Sequence, residues 1–183
     1  MDNSFALIGI GNIMFCDDGL GIYASEYIKR NYDYSKNLTV LDGGGLGFTL
    51  MTYFSEYKKV FIVSTTSEGK NSGDIFRFSK DELMSQGTTR QSANEVEVVQ
   101  MVEICSILDD EMAKVEIIAM KPDNIIPVEA NLTQKVQDNF PKLIKKILDS
   151  LKDSGMQLTK KNNEITLKEI IKEYANPTQQ IHI

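Results

Sequence analysis

The stretch from Gly9 to Gly21 reads GIGNIMFCDDGLG and decides the fold. It follows the apolar run Phe5–Ile10 and precedes a helical pattern that begins near Leu20, so it occupies the first strand-to-helix turn. Turns of this kind bind ligands in α/β proteins, because backbone N–H groups of the helix and of the glycines are exposed there. The adjacent carboxylates of Asp17 and Asp18 repel anions and attract cations. The stretch therefore predicts a site for a metal ion or another positively charged group.

Short apolar runs alternate with amphipathic segments along the rest of the chain, which is the pattern of an α/β sandwich. The predicted strands are Phe5–Ile10, Leu38–Leu41, Val60–Val63, Gly73–Phe78 (an edge strand) and, as the last, Val115–Met120. The predicted helices start near Leu20, span Leu46–Tyr57, include Val98–Cys105 and Phe140–Leu151, and end with a short helix over Thr166–Tyr174. Pro141 lies either in the first turn of its helix or at a kink in a longer helix from near Thr133. Residues 87–93 are predicted to be a loop and residues 152–164 a polar linker.

Composition and charge exclude several classes of partner. The 183 residues include 20 basic and 26 acidic ones, a net charge of −6, and no Lys/Arg cluster offers a face to nucleic acid or anionic lipid. The first residues lack the basic region of a signal peptide, and no apolar run is long enough to span a bilayer. We therefore expect no nucleic-acid and no membrane partner. Two cysteines do not make a disulfide framework, which favours the cytoplasm.

The glycines of the first turn also permit a nucleotide-binding interpretation, with Asp42 at the end of the second strand as the ribose ligand. This alternative is remote, because a G-x-G-x-x-G motif would need glycine at Met14 and because Asp17 and Asp18 would repel a pyrophosphate. A purely structural alternative is that one of the two aspartates caps the following helix while Gly19 serves the turn.

A glycine-rich run and a set of possible nucleophiles also bear on the chemistry. The run Asp42–Gly47 costs backbone entropy but lets another chain approach closely, so we interpret it as a wall for a bound peptide. Ser64 follows the third strand and Cys16 lies in the first turn, but a nucleophile needs a base. The single histidine, His182, lies in a predicted tail. A Ser-His-Asp or Cys-His enzyme is therefore not expected.

In these motifs the chain resembles the hydrogenase maturation proteases, the nickel-dependent endopeptidases that trim the C-terminus of the hydrogenase large subunit. The resemblance covers Phe5 to about Gly155. Its elements, in the expected order, are G-I-G-N-x4-D-D-G-x-G at Gly9–Gly21, L-D-G-G at Leu41–Gly44, Ser72-Gly73 after a strand, and Pro122-x4-Pro127 followed by Asn131-Leu132-Thr133. We accordingly expect a family domain over residues 1–155 and a polar linker with an additional C-terminal helix and tail over 156–183.

The resemblance implies an α/β three-layer sandwich, with a twisted, mostly parallel sheet between helices on both faces. It also implies an endopeptidase of the aspartic type that uses nickel, with zinc or cadmium as a surrogate, in a cleft with three protein ligands. Its partner would be the hydrogenase large-subunit precursor or the C-terminal peptide of that precursor, and we expect a monomer or a weak homodimer. The first metal ligand matches Asp18. The residues expected to contact the substrate are Gly11, Asn12, Asp17, Asp42, Gly43, Gly44 and Gly45.

The sequence departs from the family pattern at the other two metal ligands. The aspartate that ends the third strand aligns with Ser64, or with Thr65 if the register shifts by one, and the histidine aligns with about Asn94. Neutral side chains replace neither the charge nor the basicity of those ligands, and a single carboxylate holds a divalent ion weakly. The nearby carboxylates that could compensate are Asp17, Glu68 and Glu95.

Two functions therefore remain open at the level of sequence. The intact stretch Gly9–Gly21 favours an active endopeptidase with a substituted metal site. The missing ligands favour a non-proteolytic paralogue that binds the large subunit or another maturation factor without cutting it. The additional helix over Thr166–Tyr174 packs on its own chain, covers the cleft, or pairs with a second copy.

Overall fold

The computed structural model describes residues 4–44, 47–85, 93–108 and 111–176. Within these ranges the strands are β1 (Phe5–Gly9), β2 (Tyr32–Tyr34), β3 (Leu38–Asp42), β4 (Lys59–Thr65), β5 (Ile75–Ser79), β6 (Lys114–Met120) and β7 (Leu158–Lys160). The α-helices there are α1 (Leu20–Asn31), α2 (Met51–Glu56), α3 (Lys80–Ser85), α4 (Ala93–Leu108), α5 (Gln134–Asp153) and α6 (Leu167–Ala175). Short 3-10 turns over Cys16–Gly19 and Gly47–Leu50 lead directly into α1 and α2.

Five strands form one sheet in the order β3-β1-β4-β6-β5. The first four are parallel to one another, and β5 pairs antiparallel with β6 at the edge of the sheet. The mostly parallel sheet and the edge position of the fourth predicted strand are thus confirmed. Because parallel strands end at the same edge, the last residues of β1, β3 and β4 lie side by side there, which positions the site.

Helices cover both faces of this sheet and make the three predicted layers. Alternate residues of β4 divide between two cores: Phe61 and Val63 pack with α1 and α5, whereas Val60 and Ile62 pack with α2 and α4. The stripe predicted for α4, from Val98 to Cys105, is buried at each of its four apolar positions. In the described part of the chain no helix combines the length and the apolarity needed to cross a membrane.

The C-terminal part is more integrated than a linker and a separate helix. The prediction of a polar linker over 152–164 is wrong, because α5 continues to Asp153 and Leu158–Lys160 forms β7, which pairs antiparallel with β2. Neither three-residue strand is long enough to show a period in the sequence. Met156, Ile170 and Ile171 are buried in the same core as α1. The domain boundary at residue 155 stays a prediction, but the residues after it share the core of those before it.

Several local predictions are settled by capping and backbone geometry. Thr133 caps α5 through a bond to the Val136 N–H group, and Pro141 lies inside that helix, so the longer of the two alternatives is correct. Thr166 and Glu169 form the expected capping box at α6. The helix expected over Leu46–Tyr57 is a 3-10 turn in its first half, and α3 and β2 were not predicted. The loop expected over 87–93 lies outside the described residues, except for Ala93, which begins α4.

Candidate functional site

Cys16, the residue before the two aspartates of the first turn, has a left-handed backbone conformation, and the two aspartate side chains point in different directions. Cys16 has φ 49°, a conformation that costs energy for a non-glycine residue and that neighbouring contacts must hold. Its N–H group donates to Glu129 O at 3.0 Å, and Glu129 N–H donates to Met14 O at the same distance. The loop after β6 therefore fixes this turn, which places Asp17 on the loop side and Asp18 on the sheet side.

Asp17 is wholly buried and serves the fold. Its Oδ2 accepts bonds from the N–H groups of Asp123 (2.9 Å) and Asn124 (2.8 Å) and from the Thr133 hydroxyl (2.9 Å), and its Oδ1 accepts from Thr133 N–H (2.7 Å). A carboxylate has about four lone-pair positions, so these bonds occupy its accepting capacity. We therefore assign Asp17 to holding the loop 123–133 in place, and an aspartic-type mechanism finds no support in it.

Asp18 faces the end of β4, and the residue it meets there is Thr65. The Thr65 hydroxyl oxygen lies 3.4 Å from Asp18 Oδ1, which is long for a hydrogen bond, and both residues are more than nine-tenths buried. Strand alternation puts Thr65 on the same face as Phe61 and Val63, beside α1. Ser64 points to the other face, where its hydroxyl donates to Thr65 O at 3.1 Å. Of the two residues left open by the sequence, Thr65 is the one whose side chain faces Asp18, and its correspondence to a family ligand stays a prediction.

The other proposed ligands do not join this pair in the described residues. Glu68 is exposed beyond the end of β4. The backbone of Asn94 and Glu95 lies in the first turn of α4, but their side chains lie outside the described part of the structure. Across the residues that the structure describes, no group of three His, Cys, Asp or Glu side chains is close enough to share a metal ion.

The fit of a resident nickel ion can be judged from Asp18 and Thr65. Two oxygen atoms 3.4 Å apart suit adjacent ligands of a tetrahedral ion such as the surrogate zinc, since metal–oxygen bonds of about 2.0–2.2 Å place tetrahedral ligands roughly 3.3–3.6 Å apart, whereas the square-planar geometry of nickel places them nearer to roughly 2.9 Å. The charge does not suit it, because a neutral hydroxyl takes the place of a second carboxylate or an imidazole. The described side chains therefore do not fit a resident divalent metal ion.

The glycine-rich run packs against the molecule itself. Gly43 is buried, and a Cβ atom there would lie 2.5 Å from Ile8 Cγ2. A Cβ at Gly44 would lie 2.4 Å from Ile22 Cδ1 and 2.6 Å from Gly11 O, so close internal packing accounts for both glycines. Gly45 and the next residue lie outside the described ranges. Gly43 and Gly44 are therefore explained without a bound peptide, which was the reason for interpreting the run as a peptide-binding surface. Gly44 is itself exposed.

The remaining expected substrate contacts divide between buried and exposed residues. Gly11 is buried, and a Cβ atom there would lie 2.0 Å from Asp18 O. Asn12 is exposed and accepts a bond from Met14 N–H at 3.0 Å. Asp42 is exposed and accepts a bond from Gly44 N–H at 2.9 Å, which forms a tight turn. Asn12 and the Asp42 turn are therefore the parts of the predicted set that another chain can reach.

A hydroxyl-lined cavity of about 270 Å³ adjoins Thr65 and was not foreseen from the sequence. It lies between the end of β4 and the loop after β6, and Lys121 Nζ donates to Ser67 O across it at 2.7 Å. The residues that line it are Thr65, Thr66, Ser67, Ser72 and the segment from Lys121 to Ile126. The signal available in the sequence was the polar stretch directly after each of two adjacent strand ends.

The expectation that Cys16 is not a nucleophile agrees with its surroundings. Burial raises the pKa of the Cys16 thiol, and the nearby Asp17 carboxylate raises it further. A thiol of raised pKa stays protonated at neutral pH and is a poor nucleophile. Both cysteines, Cys16 and Cys105, are buried, and neither forms a disulfide.

Comparisons with known proteins place this site in a family context. The model of the family "Hydrogenase maturation protease" (HycI) matches residues 22–150, directly after the stretch Gly9–Gly21. The hydrogenase expression/formation protein HupD of Bradyrhizobium diazoefficiens is 25% identical over 162 residues, which cover 88% of this chain and 84% of HupD. The hydrogenase 2 maturation protease of Escherichia coli is 20% identical, over 82% of this chain and 92% of that protein.

Solved structures extend the likeness to the fold. The hydrogenase maturating endopeptidase HybD from Escherichia coli superposes with a TM-score of 0.78 at 19% identity, over 86% of this chain and 98% of HybD. The [NiFe] hydrogenase maturation protease HybD from Thermococcus kodakarensis has a TM-score of 0.66 at 20% identity, over 81% and 98% of the two chains. At these identities the likeness establishes the three-layer fold.

Proposed function

Because the chain belongs to the hydrogenase maturation protease family, we propose that it processes the precursor of a hydrogenase large subunit by removing a C-terminal segment. The observation that carries this proposal is the position of Asp18 at the carboxyl edge of the sheet. Asp18 lies beside Thr65, which lines the hydroxyl-lined cavity, and its backbone lies against Gly11, on which Gly44 of the exposed turn packs. Ligands of open α/β sheets bind at this edge.

The proposed roles of the residues follow from their exposure. Asn12 and the Asp42 turn are exposed and are the groups that we assign to contacts with the precursor. Asp18 is the carboxylate that we assign to the scissile region, where it faces any nickel ion that the precursor itself carries as cargo. Asp17 keeps the turn and the loop 123–133 in register and has no contact with the precursor in this scheme.

The test is to incubate the protein with a nickel-loaded large-subunit precursor and to follow the precursor mass. We expect a shortened product with the wild-type protein and at least a 100-fold lower rate with Asp18→Asn, in line with the loss of a charged group at a reacting centre. Asp81→Asn, on the exposed surface of α3, is the matched control and should process at the wild-type rate. A precursor that stays full length with the wild-type protein would rule out the proteolytic function.

Thr65 gives a reason to keep a second function, a non-proteolytic paralogue that binds the large subunit or another maturation factor. In the part of the chain that the structure describes, the group beside Asp18 is a neutral hydroxyl, whereas a metal-assisted hydrolase holds its ion with several charged or imidazole ligands. This candidate predicts a stable complex with the precursor, measured by size-exclusion chromatography, together with an unchanged precursor mass.

The cellular setting belongs to the same proposal. The large-subunit precursor or its C-terminal peptide is the partner that we propose, and nickel, with zinc or cadmium as a surrogate, is the ion that we expect the precursor to bring. Two buried cysteines that form no disulfide suit a reducing compartment, so we propose the cytoplasm as the location. A monomer or a weak homodimer is the assembly that we propose, and sedimentation at micromolar concentration tests it.

A further inference from the structure

We infer that Thr65 abolishes a resident cation site in this cleft, so that divalent ions do not bind at Asp18 in the isolated protein and the single substitution Thr65→Asp creates such a site. The inference concerns the protein without its precursor. Its failure is therefore distinguishable from failure of the proposed processing activity, which is measured on the precursor.

The oxygen atoms of Thr65 and Asp18 have the spacing of two ligands of one ion. Thr65 Oγ1 and Asp18 Oδ1 lie 3.4 Å apart at the ends of β4 and of the first turn. This separation falls within the roughly 3.3–3.6 Å expected for two oxygen ligands of one tetrahedral ion. The pair has suitable spacing for a tetrahedral ion but carries only one negative charge, so among the described residues a cation site here lacks charge rather than position.

Asp18 and Thr65 are both buried from solvent. Asp18 is 7% exposed and Thr65 is 2% exposed, so water compensates little for a missing ligand charge. The neighbouring Asp17 has its oxygens occupied by four hydrogen bonds, and Glu68 is exposed. Within the described residues, neither carboxylate is placed to supply the second charge.

Side chains alternate between the two faces of β4, so the neighbouring Ser64 provides a control for Thr65. Thr65 lies on the α1 face of β4, whereas Ser64 lies on the α4 face, beside Leu83 and Val98. A carboxylate introduced at Ser64 would be buried among apolar side chains, away from Asp18. Only the substitution at Thr65 brings two carboxylates together.

Titration calorimetry with nickel chloride alone, repeated with zinc chloride, tests the inference directly. We expect no saturable binding by the wild-type protein up to about 100 µM, as for a single carboxylate. We expect Thr65→Asp to bind at least on the order of 100-fold more tightly, since ligand charge sets the affinity of such sites. The double variant Thr65→Asp with Asp18→Asn should lose that gain.

Thermal unfolding provides a second readout. Two carboxylates at this spacing repel each other, so Thr65→Asp should have a lower Tm than the wild-type protein in the presence of a chelator, and nickel should raise it again. Thr65→Asn introduces a side chain of the same shape as in Thr65→Asp but without its charge. Ser64→Asp introduces the charge on the other face of β4. Neither control should gain Tm on addition of nickel.

The inference is overturned if the wild-type protein binds nickel with a micromolar Kd that Asp18→Asn removes. It is also overturned if a folded Thr65→Asp gains no nickel site, or if Ser64→Asp gains one equally. Should Thr65→Asp fail to fold, the wild-type titration and its Asp18→Asn partner still decide the first of these outcomes.

Discussion

Thr133 donates to Asp17 twice, from its backbone N–H group at 2.7 Å and from its hydroxyl at 2.9 Å, and in doing so it joins the first turn to the start of α5. The two residues are 116 positions apart in the chain. The same hydroxyl caps α5. One buried carboxylate therefore ties together the turn that carries Asp18, the loop after β6 and the longest helix.

Substitution of Asp17 tests this structural role. Asp17→Ala leaves four partly buried donors, namely the N–H groups of Asp123, Asn124 and Thr133 and the Thr133 hydroxyl, without their acceptor, so we expect a loss of about 3–5 kcal/mol in the free energy of unfolding. Urea unfolding measures this loss. Asp42→Ala, which removes one exposed turn bond, is the matched control and should cost about 1 kcal/mol or less. Equal effects of the two substitutions would contradict the assignment.

The ion pairs of Glu116 lead us to expect that part of the free energy of unfolding is lost at acidic pH. It is mostly buried in β6, and it contacts Lys59 Nζ at 2.7 Å and Arg77 Nε at 2.6 Å. Burial by itself raises the pKa of Glu116, but the bonds from Arg77 and Lys59 outweigh it and hold the pKa below the usual value. The stabilisation is therefore complete above the pKa in the unfolded chain, about 4.3, and is lost as the pH falls through the lower pKa of the folded state.

The check is urea unfolding between about pH 3 and pH 8. We expect Glu116→Gln to be less stable by about 3 kcal/mol at pH 7 and to lose less stability than the wild-type protein on acidification. Glu103→Gln, on the exposed side of α4, should follow the wild-type curve. Parallel pH curves for the wild-type protein and Glu116→Gln would refute the role of this ion pair.

Substitution of Asn31 is expected to destabilise the C-terminal part of the chain more than the rest. Its side chain is fully buried, donates to Ile165 O at 3.0 Å and accepts from Ile165 N–H at 2.7 Å. Asn31→Ala leaves both backbone groups without these partners, so we expect a cost of about 2 kcal/mol. Hydrogen exchange should accelerate in β7 and α6 before it does in β1. The exposed C-cap substitution Asn176→Ala should leave these rates unchanged, and uniform acceleration over the whole chain would contradict the prediction.

Deletion of Lys160–Ile183 tests whether the last helix packs on its own chain or serves one of the other two roles considered for it. Ile170 and Ile171 are buried in the core of α1, and Tyr174 packs edge-on against Tyr23 with ring centroids 5.7 Å apart. We therefore expect the deletion to lower the Tm markedly, and Ile170→Ala alone to cost about 2–4 kcal/mol. An unchanged Tm after the deletion would show that α6 serves only the cleft or a second copy.

Much of the fold was predictable because local patterns encode it. The apolar runs of β1, β3, β4 and β6 and the stripes of α4 and α5 follow directly from residue spacing. The N-cap residues Thr133 and Thr166 begin their helices where short-range side-chain chemistry favours it. The pairing of β2 with β7 was not predictable, because each strand is three residues long and its partner lies more than a hundred residues away.

The sequence alone determined the α/β class and the position of the first turn, because composition and period are local properties. The tertiary structure decided what each aspartate does: Asp17 is saturated by donors from a distant loop, and Asp18 meets Thr65 rather than Ser64. It also decided that Gly43 and Gly44 are small because Ile8 and Ile22 lie against them. These outcomes depend on which groups meet across the sheet edge, and residues that meet there are far apart in the chain.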